Sequence, residues 1–161
     1  MIPIYVVDAF TDEPFRGNPA GVVTLGAEDA LSDEQMQSLA AEMKHAETAF
    51  LTPRGSDWGL RWFTPATEVD LCGHATLASA FVLWKTGLAP ETERITFHTR
   101  SGPLLASKSE RSIELDFPAE PAITAPPTPR LELLRIIRTR ASKQCFSTYS
   151  PELSGQQSSM I

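Results

Sequence analysis

The sequence has little of what marks several classes of protein. Cysteine occurs only at Cys72 and Cys145, so a framework of disulfide bonds is not expected. The longest apolar run, Leu77–Trp84, is interrupted by Ser79 and is far shorter than the roughly 20 residues that a membrane-spanning helix needs. Basic side chains number 14 against 20 acidic ones, and this balance argues against nucleic acid as a partner. Neither a membrane nor a nucleic acid is therefore expected as a partner.

The first residues also lack the features of an export signal. Met1–Asp8 contains no basic side chain and no small-residue site for a signal peptidase, so a secretory signal is not expected. Together with the low cysteine content, this predicts a cytoplasmic protein. The 161 residues, 42% of them hydrophobic, are enough for one globular domain of ordinary size.

Charge and proline content change near residue 120. Residues 1–120 carry a net charge of −9, whereas the remaining residues carry +3. Five prolines fall between Pro118 and Pro129, where they would interrupt any helix or central strand. We therefore predict a folded domain over residues 1–120, a Pro-rich linker over 121–130, and a basic, Ser/Gln-rich tail over 131–161. The tail has few apolar side chains, and such a composition predicts disorder.

The first 117 residues predict a mixture of strands and helices. Ser32 begins a helix, because Gln35 stands three residues later as in a capping box, and Leu31 can pack on Met36 across the cap. Turn residues in Thr11–Pro19 predict a loop, and β-branched and aromatic residues between turn signals predict strands. The predicted strands are Ile2–Phe10, Gly21–Leu25, Glu47–Thr52, Trp58–Phe63, Arg94–Thr99, Pro103–Ser107 and Ser112–Phe117.

A second helix is predicted over Gly73–Lys85, and it differs from the first in being apolar on every side. A helix without a polar face must be buried all round. In a small domain this requires a sheet that curves around the helix. We therefore predict an α+β fold, a mostly antiparallel β-barrel wrapped around a central buried helix. The alternative from the residues alone is an α+β sandwich with the helix packed on one face of the sheet.

The segment that leads into this helix, Glu68–Thr76, is a candidate binding site. It contains Asp70, Cys72, Gly73 and His74. Free amides and the positive end of the helix dipole favour an anion such as a carboxylate at this point, and Gly73 would let a ligand approach the backbone closely. The structural alternative is that the polar residues of the segment only cap the helix, while Cys72 and His74 only pack.

Glu47 is the candidate for acid–base chemistry. It stands where the first helix has ended and an apolar strand begins. A carboxylic acid in apolar surroundings holds its proton more readily than in water, and it can then exchange that proton near neutral pH. The alternative is that Glu47 is simply solvated, as most glutamates at the ends of elements are.

Two other chemistries involve the same residues. A zinc site would combine Cys72 and His74 with His45 and Glu47, but one Cys-x-His without a second close pair of ligands does not match structural zinc spacing, so no metal is predicted. Cys72 would instead be a nucleophile if the helix N-terminus lowered its pKa. The sequence contains no Gly-x-Gly-x-x-Gly, P-loop or Gly-x-Ser-x-Gly motif, so nucleotide binding and serine hydrolysis are not indicated.

Three motifs, in order along the chain, resemble those of the phenazine-biosynthesis PhzF-like proteins. They are Phe15–Val22, then Glu47–Phe50, then Arg61–Pro65 together with Glu68–Ala78. The resemblance covers roughly residues 1–120. It implies the diaminopimelate-epimerase-like fold, in which two similar domains each form a β-barrel around a central helix and the active site lies between them.

The resemblance also implies a chemistry without metal or organic cofactor. The family's best-understood member isomerises trans-2,3-dihydro-3-hydroxyanthranilate, and a glutamate matched here by Glu47 moves the proton. Gly73 and His74 match the loop that helps to hold the substrate, and Cys72 matches a cysteine that related epimerases use. The chain is thus predicted to be a cofactor-independent isomerase of a small cyclic or amino carboxylic acid, with Asp70 as a further substrate-binding residue. A homodimer is implied as well.

The family's second domain has no counterpart in residues 121–161. That domain supplies an acidic residue and a Gly-Ser loop that close the site. The chain is therefore expected to be the first half of such a protein followed by an unrelated tail, as a frameshift or a premature stop would produce. The alternative function is a truncated, inactive remnant that binds only a ligand or a partner subunit.

Overall fold

The computed structural model describes residues 1–109, 112–117 and 145–146, and in this part of the chain it contains two helices and nine strands. The helices are α1 (Asp33–Met43) and α2 (Gly73–Lys85). The strands are β1 (Ile4–Ala9), β2 (Asn18–Thr24), β3 (Glu47–Arg54), β4 (Asp57–Phe63), β5 (Glu68–Val69), β6 (Ile95–Thr99), β7 (Gly102–Lys108), β8 (Ile113–Asp116) and β9 (Cys145–Phe146). Both helices and the seven longer strands lie where the sequence predicts them, to within three residues. The two-residue strands β5 and β9 are additional.

The nine strands form one mixed sheet. Its order is β1-β2-β3-β4-β6-β7-β8-β9, and β5 pairs with β4. The β2–β3 and β4–β6 pairs are parallel, and the other pairs are antiparallel. The predicted mostly antiparallel sheet is thereby confirmed. In the β2–β3 register Ala20 lies opposite Glu47, which places Glu47 at the first paired position of β3.

The sheet curves around α2. This helix contacts β1, β2 and β3 near one end of the sheet and β8 near the other, which a flat sheet would not allow. Ten of its thirteen residues are buried, and they form the main core with residues from the concave face, such as Leu60, Phe97 and Leu104. The structure is a half-barrel around a buried helix, as the helix without a polar face predicts, and not a sandwich.

The first helix packs on the convex face of the same sheet. Met36 and Ala40 of α1 meet Phe50 and Phe63 from β3 and β4. Ser32 accepts from the Gln35 amide, and the Gln35 side chain accepts from the Ser32 amide. This confirms the predicted capping box, and it fixes where α1 begins.

Side chains along β3 alternate between the two cores, because successive residues of a strand face opposite sides of the sheet. Ala49 and Leu51 join the core around α2, whereas Phe50 joins the core under α1. The same alternation turns Glu47 toward α2. The position of Glu47 at the site is therefore set by the register of β3.

The segment between β1 and β2 differs from its prediction. Asn18 and Pro19 belong to β2, where the turn residues predicted a loop. Pro19 is tolerated because it pairs only with Asp8 of β1, and the pairing of β2 with β3 starts one residue later, at Ala20. A proline without an amide donor fits a strand where one side has no partner strand.

The predicted linker over residues 121–130 lies outside the described residues. Of the predicted tail over 131–161, the structure describes only the backbone of β9, which pairs with β8. The domain boundaries and the disorder of the tail therefore stay predictions. Among the described residues, neither helix is long and apolar enough to cross a membrane.

Candidate active site

Three of the predicted site residues converge at the N-terminus of α2. Glu47 opens β3, Cys72 occupies the N-cap position of α2, and His74 lies in its first turn. A carboxylate oxygen, the sulfur and a ring nitrogen of these residues all lie within 4.8 Å of one another. The curvature of the sheet brings the start of β3 against this end of the helix.

The His74 ring lies between the other two side chains. Its Nδ1 is 3.4 Å from Cys72 Sγ, and its Nε2 is 3.3 Å from Glu47 Oε2. The Nε2–Oε2 contact is within ion-pair distance, but its angles are not those of a hydrogen bond, so Nε2 is a buried nitrogen without a hydrogen-bond partner. The side chain is only 9% exposed. This leaves one polar atom of the ring available to a ligand.

Burial sets the protonation state of His74. Loss of solvent lowers the pKa of the ring from 6.5, and the nearby Glu47 carboxylate opposes that shift without reversing it. The imidazole is therefore mainly neutral at neutral pH, with one ring nitrogen as a donor and the other as an acceptor.

Cys72 is a protonated thiol in this setting. Burial raises its pKa to about 12, the Ala75 amide lowers it, and the Glu47 carboxylate raises it again. The sulfur forms no cap hydrogen bond, and the Ala75 and His74 amides near it oppose the rise in pKa without reversing it. The alternative in which the helix N-terminus activates Cys72 as a nucleophile is therefore wrong for this structure, because desolvation outweighs the helix dipole.

The remaining two predicted residues flank this cluster. Gly73 begins α2, and a Cβ atom placed on it would lie 3.7 Å from Cζ of Phe117, in ordinary van der Waals contact. Asp70 is exposed, and its carboxylate lies 3.4 Å from Arg100 Nε. Asp70 is thus not part of the cluster around His74. It also does not cap α2, since the N-cap is Cys72.

Phe117 is a site neighbour that the sequence analysis missed. It is the last residue of the predicted strand Ser112–Phe117, directly follows the observed strand β8, and is partly buried against the main core. No spacing or periodicity relates position 117 to position 73, because the contact arises only from the closing of the sheet. An aromatic side chain therefore lies beside the N-terminus of α2.

An ion-pair network holds the segment before α2. Arg61 donates to both oxygens of Glu68, at 2.7 and 2.9 Å, and to Asp33 at 2.7 Å. Arg100 donates to Glu68 at 2.8 Å. Hydrogen bonds from Arg61 lower the pKa of Glu68, and burial opposes this. The network connects β4, β5, the start of α1 and the β6–β7 turn.

The cluster of Glu47, Cys72 and His74 offers oxygen, sulfur and nitrogen ligands to a divalent ion. His45, the fourth residue of the zinc alternative, does not belong to it. Cys72 approaches Nδ1 and Glu47 approaches Nε2, and these two ring nitrogens point in different directions. One ring nitrogen, the sulfur and one carboxylate oxygen nevertheless lie within 4.8 Å of one another. Among the described residues this group has three ligands, one fewer than the four of a structural zinc site.

The cluster has the features of a site for proton transfer next to an anion. Glu47 keeps 21% of its side chain exposed, so its carboxylate can reach a ligand. The first turn of α2 contains no acidic side chain, so no carboxylate of its own competes with an anionic group for the positive end of the helix dipole. A small carboxylate held there would have Glu47 and His74 beside it.

The chain is similar to proteins of one family over most of its length. The profile of the PhzC-PhzF family, described as phenazine biosynthesis-like protein, matches residues 7–155. An uncharacterized isomerase of Halalkalibacterium halodurans is 57% identical over 118 residues, 73% of this chain and 44% of that protein. An uncharacterized isomerase of Pseudomonas aeruginosa is 47% identical over 143 residues, 88% of this chain and 54% of that protein.

A solved structure has the same fold. The crystal structure of a PhzF-family phenazine biosynthesis protein from Enterococcus faecalis superposes with a TM-score of 0.71 at 46% identity. The match covers 81% of this chain and 49% of that one. The chain spans about half the length of the curated relatives it matches. By its sequence and by its half-barrel around a buried helix, the chain belongs to the phenazine biosynthesis-like PhzC-PhzF family.

Proposed function

We propose that this chain provides the proton-transferring half of the active site of a cofactor-independent isomerase. In this proposal Glu47 removes a proton from a carbon atom of a small cyclic or amino carboxylic acid and returns it to another position. The observation that carries the proposal is the unpartnered, buried Nε2 of His74 beside Glu47 at the open N-terminus of α2. Relatives named as isomerases support the reaction class.

The substrate carboxylate would bind at the N-terminus of α2. The backbone amides of Gly73 and His74 lie there, and no acidic side chain in the first turn competes for them. Phe117 next to Gly73 would contact the hydrocarbon part of the substrate. A carboxylate held in this way has its reacting carbon near Glu47, which gives the proximity that proton transfer requires.

Glu47 is suited to carry the proton because it is neither fully solvated nor sealed off. Its carboxylate touches His74 on one side and remains partly exposed on the other. A hydrogen bond from His74 Nε2 to the substrate would stabilise the negative charge that develops when the proton leaves carbon. Asp70 would act only at the edge of the site, since it is exposed and its carboxylate lies beside Arg100.

The experiment is solvent deuterium exchange into candidate acids. The full 161-residue chain is incubated in D2O with trans-2,3-dihydro-3-hydroxyanthranilate and with a panel of small amino acids, and incorporation is followed by mass spectrometry. Glu47→Gln should lower the exchange rate by a factor of about 100 or more, the usual contribution of a general acid–base group. Glu42→Gln, on the exposed side of α1, is the matched control and should keep the rate.

The proposal fails if the Glu47→Gln chain exchanges protons as fast as the unmodified chain. A normal circular dichroism spectrum and melting temperature for this variant would show that a lost rate reflects chemistry and not unfolding. Glutamine has the same shape as glutamate, so the fold should be retained.

The second candidate function is binding of a small carboxylate without turnover. It is favoured by one observation, that the buried, unpartnered Nε2 of His74 can hold an anion without any proton being transferred. Such a chain would bind a small carboxylate at α2 and leave it unchanged. Saturable binding of the acid by calorimetry, together with no deuterium incorporation by the unmodified chain, would support this candidate over the isomerase.

A further inference from the structure

We propose that Cys72 is a positioning residue that fixes the tautomer of His74, so that Nδ1 accepts a hydrogen bond and Nε2 carries the ring proton toward Glu47. The inference rests on the proposed function, in which Glu47 transfers the proton. It assigns a role to the one buried thiol among the described residues. It differs from a role of that thiol as a nucleophile or as an acid–base group.

In the proposed arrangement the thiol is the donor in its contact with His74. A thiol that stays protonated has one S–H to give, and its sulfur is only a weak acceptor. Nδ1 of His74 lies 3.4 Å from Sγ in a buried contact. A neutral imidazole carries one proton, so when Nδ1 accepts, the proton resides on Nε2.

The Glu47 carboxylate favours the same tautomer. With the proton on Nε2, a polar N–H lies beside the Glu47 carboxylate, with Nε2 3.3 Å from Oε2, and the two attract one another although their angle is not that of a hydrogen bond. With the proton on Nδ1, a nitrogen lone pair would lie beside the carboxylate instead. Glu47 is also the other acceptor within reach of the thiol, and an S–H turned toward it would leave Nδ1 free to hold the ring proton. The position of the ring proton therefore distinguishes the two arrangements.

The tautomer matters for the proposed reaction. Only the Nε2–H form presents a buried donor, without a hydrogen-bond partner of its own, to the space beside Glu47. A substrate oxygen can accept from this donor as negative charge develops. The other tautomer would place a lone pair there and repel the same oxygen. In a Ser-His-Asp triad, a histidine in the wrong tautomer can lower turnover by about 10⁴-fold.

The experiment is 15N NMR of the histidine rings in the full chain. The protonated and unprotonated nitrogens of a neutral imidazole have widely separated shifts, and long-range proton–nitrogen correlations show which one carries the proton. His74→Gln assigns the signals among the three histidines. The unmodified chain should show His74 with its proton on Nε2. A proton on Nδ1 would overturn the proposal without any reference to activity.

Two variants of Cys72 test whether the thiol is responsible. Cys72→Ser keeps a donor at this position and should retain the Nε2–H form. Cys72→Ala removes the donor and should let the Nδ1–H form appear as a substantial population. Retention of pure Nε2–H in Cys72→Ala would overturn the proposal, because Glu47 alone would then suffice. A preserved backbone amide spectrum shows that each variant is folded, and the serine variant remains informative if the alanine variant is not.

Exchange rates separate this proposal from the proposed function. If both hold, Cys72→Ala should lower the deuterium exchange rate by about tenfold or more, and Cys72→Ser should restore most of it. If the unmodified chain shows the Nε2–H tautomer but Glu47→Gln keeps its exchange rate, the proposed function fails while the assignment of the tautomer stands. If the tautomer does not respond to Cys72→Ala, the positioning role fails whatever the rates are.

Discussion

At the scale of single residues, His74 makes folding depend on pH. Burial lowers its pKa in the folded chain below 6.5, so the folded state binds a proton less readily than the unfolded state does. The free energy of unfolding should therefore decrease as the pH falls through 6.5 and toward the folded-state pKa. Glu47 and Cys72 are the titratable groups that face the ring.

His74→Gln tests this dependence. Glutamine cannot be protonated, so the variant should lose the part of the pH dependence that lies between about pH 7.5 and pH 5. The measurement is urea unfolding at several pH values in that range, which stays above the pH where the lowered pKa of Glu68 takes effect. If the free energy of unfolding depends on pH in the same way in the variant and in the unmodified chain, His74 is not the source of that dependence.

At the scale of elements, α2 stabilises the domain because it is packed on every side. Leu83 is fully buried within it, whereas Leu88 lies just beyond its end and is 49% exposed. Leu83→Ala should reduce the free energy of unfolding by about 2–5 kcal/mol, as the loss of a large core side chain does. Leu88→Ala, the control, should change it by no more than about 0.5 kcal/mol.

Chemical denaturation of both variants measures this difference. Equal effects of the two substitutions would contradict a central position for α2.

The helix α2 could be predicted because its signals are local. Its boundaries follow from the uncharged stretch between Gly73 and Lys85. Gly87, with a φ of 72°, directly follows the C-cap residue Thr86.

At the scale of the whole molecule, Arg61 connects parts of the chain that are far apart in sequence. It joins β4 to β5 and α1, and its partner Glu68 also receives Arg100 from the β6–β7 turn. Arg61→Gln should lower the free energy of unfolding by about 1–2 kcal/mol, because Glu68 is mostly buried but the arginine is partly screened by solvent. Arg16→Gln breaks an exposed ion pair with Glu13 and should have almost no effect.

The pH dependence of the Arg61→Gln effect supplies a second readout. Hydrogen bonds from Arg61 lower the pKa of Glu68 below 4.5 in the folded chain. The stabilisation is therefore present above 4.5 and is lost as the pH falls through the folded-state pKa. The difference between the two proteins should shrink in acid, and thermal melts over that range would show it. A difference that is independent of pH would point to packing of Arg61 on Phe63, 5.1 Å from its ring centre.

Much of the fold could be predicted because its signals are local. The capping box at Ser32 and Gln35 involves residues three apart, and the alternation along β3 depends only on neighbouring positions. The apolar character of α2 on all sides predicts a sheet that encloses it. Strands of two residues are too short to show an alternating pattern, so β5 and β9 were not predicted. Pro19 was predicted in a turn because the local sequence does not show that this position of β2 pairs on one side only.

The sequence by itself determined which residues could carry the chemistry, since Glu47, Cys72, Gly73 and His74 lie in motifs of adjacent residues. Only the tertiary structure decided which of them lie in contact. Glu47 and His74 meet because β3 presents that face to α2, and this depends on strand register over the whole sheet. The thiol of Cys72 is protonated because the closed core removes water from it more effectively than the helix N-terminus can offset. Desolvation depends on everything that surrounds an atom, and no local pattern of residues contains that information.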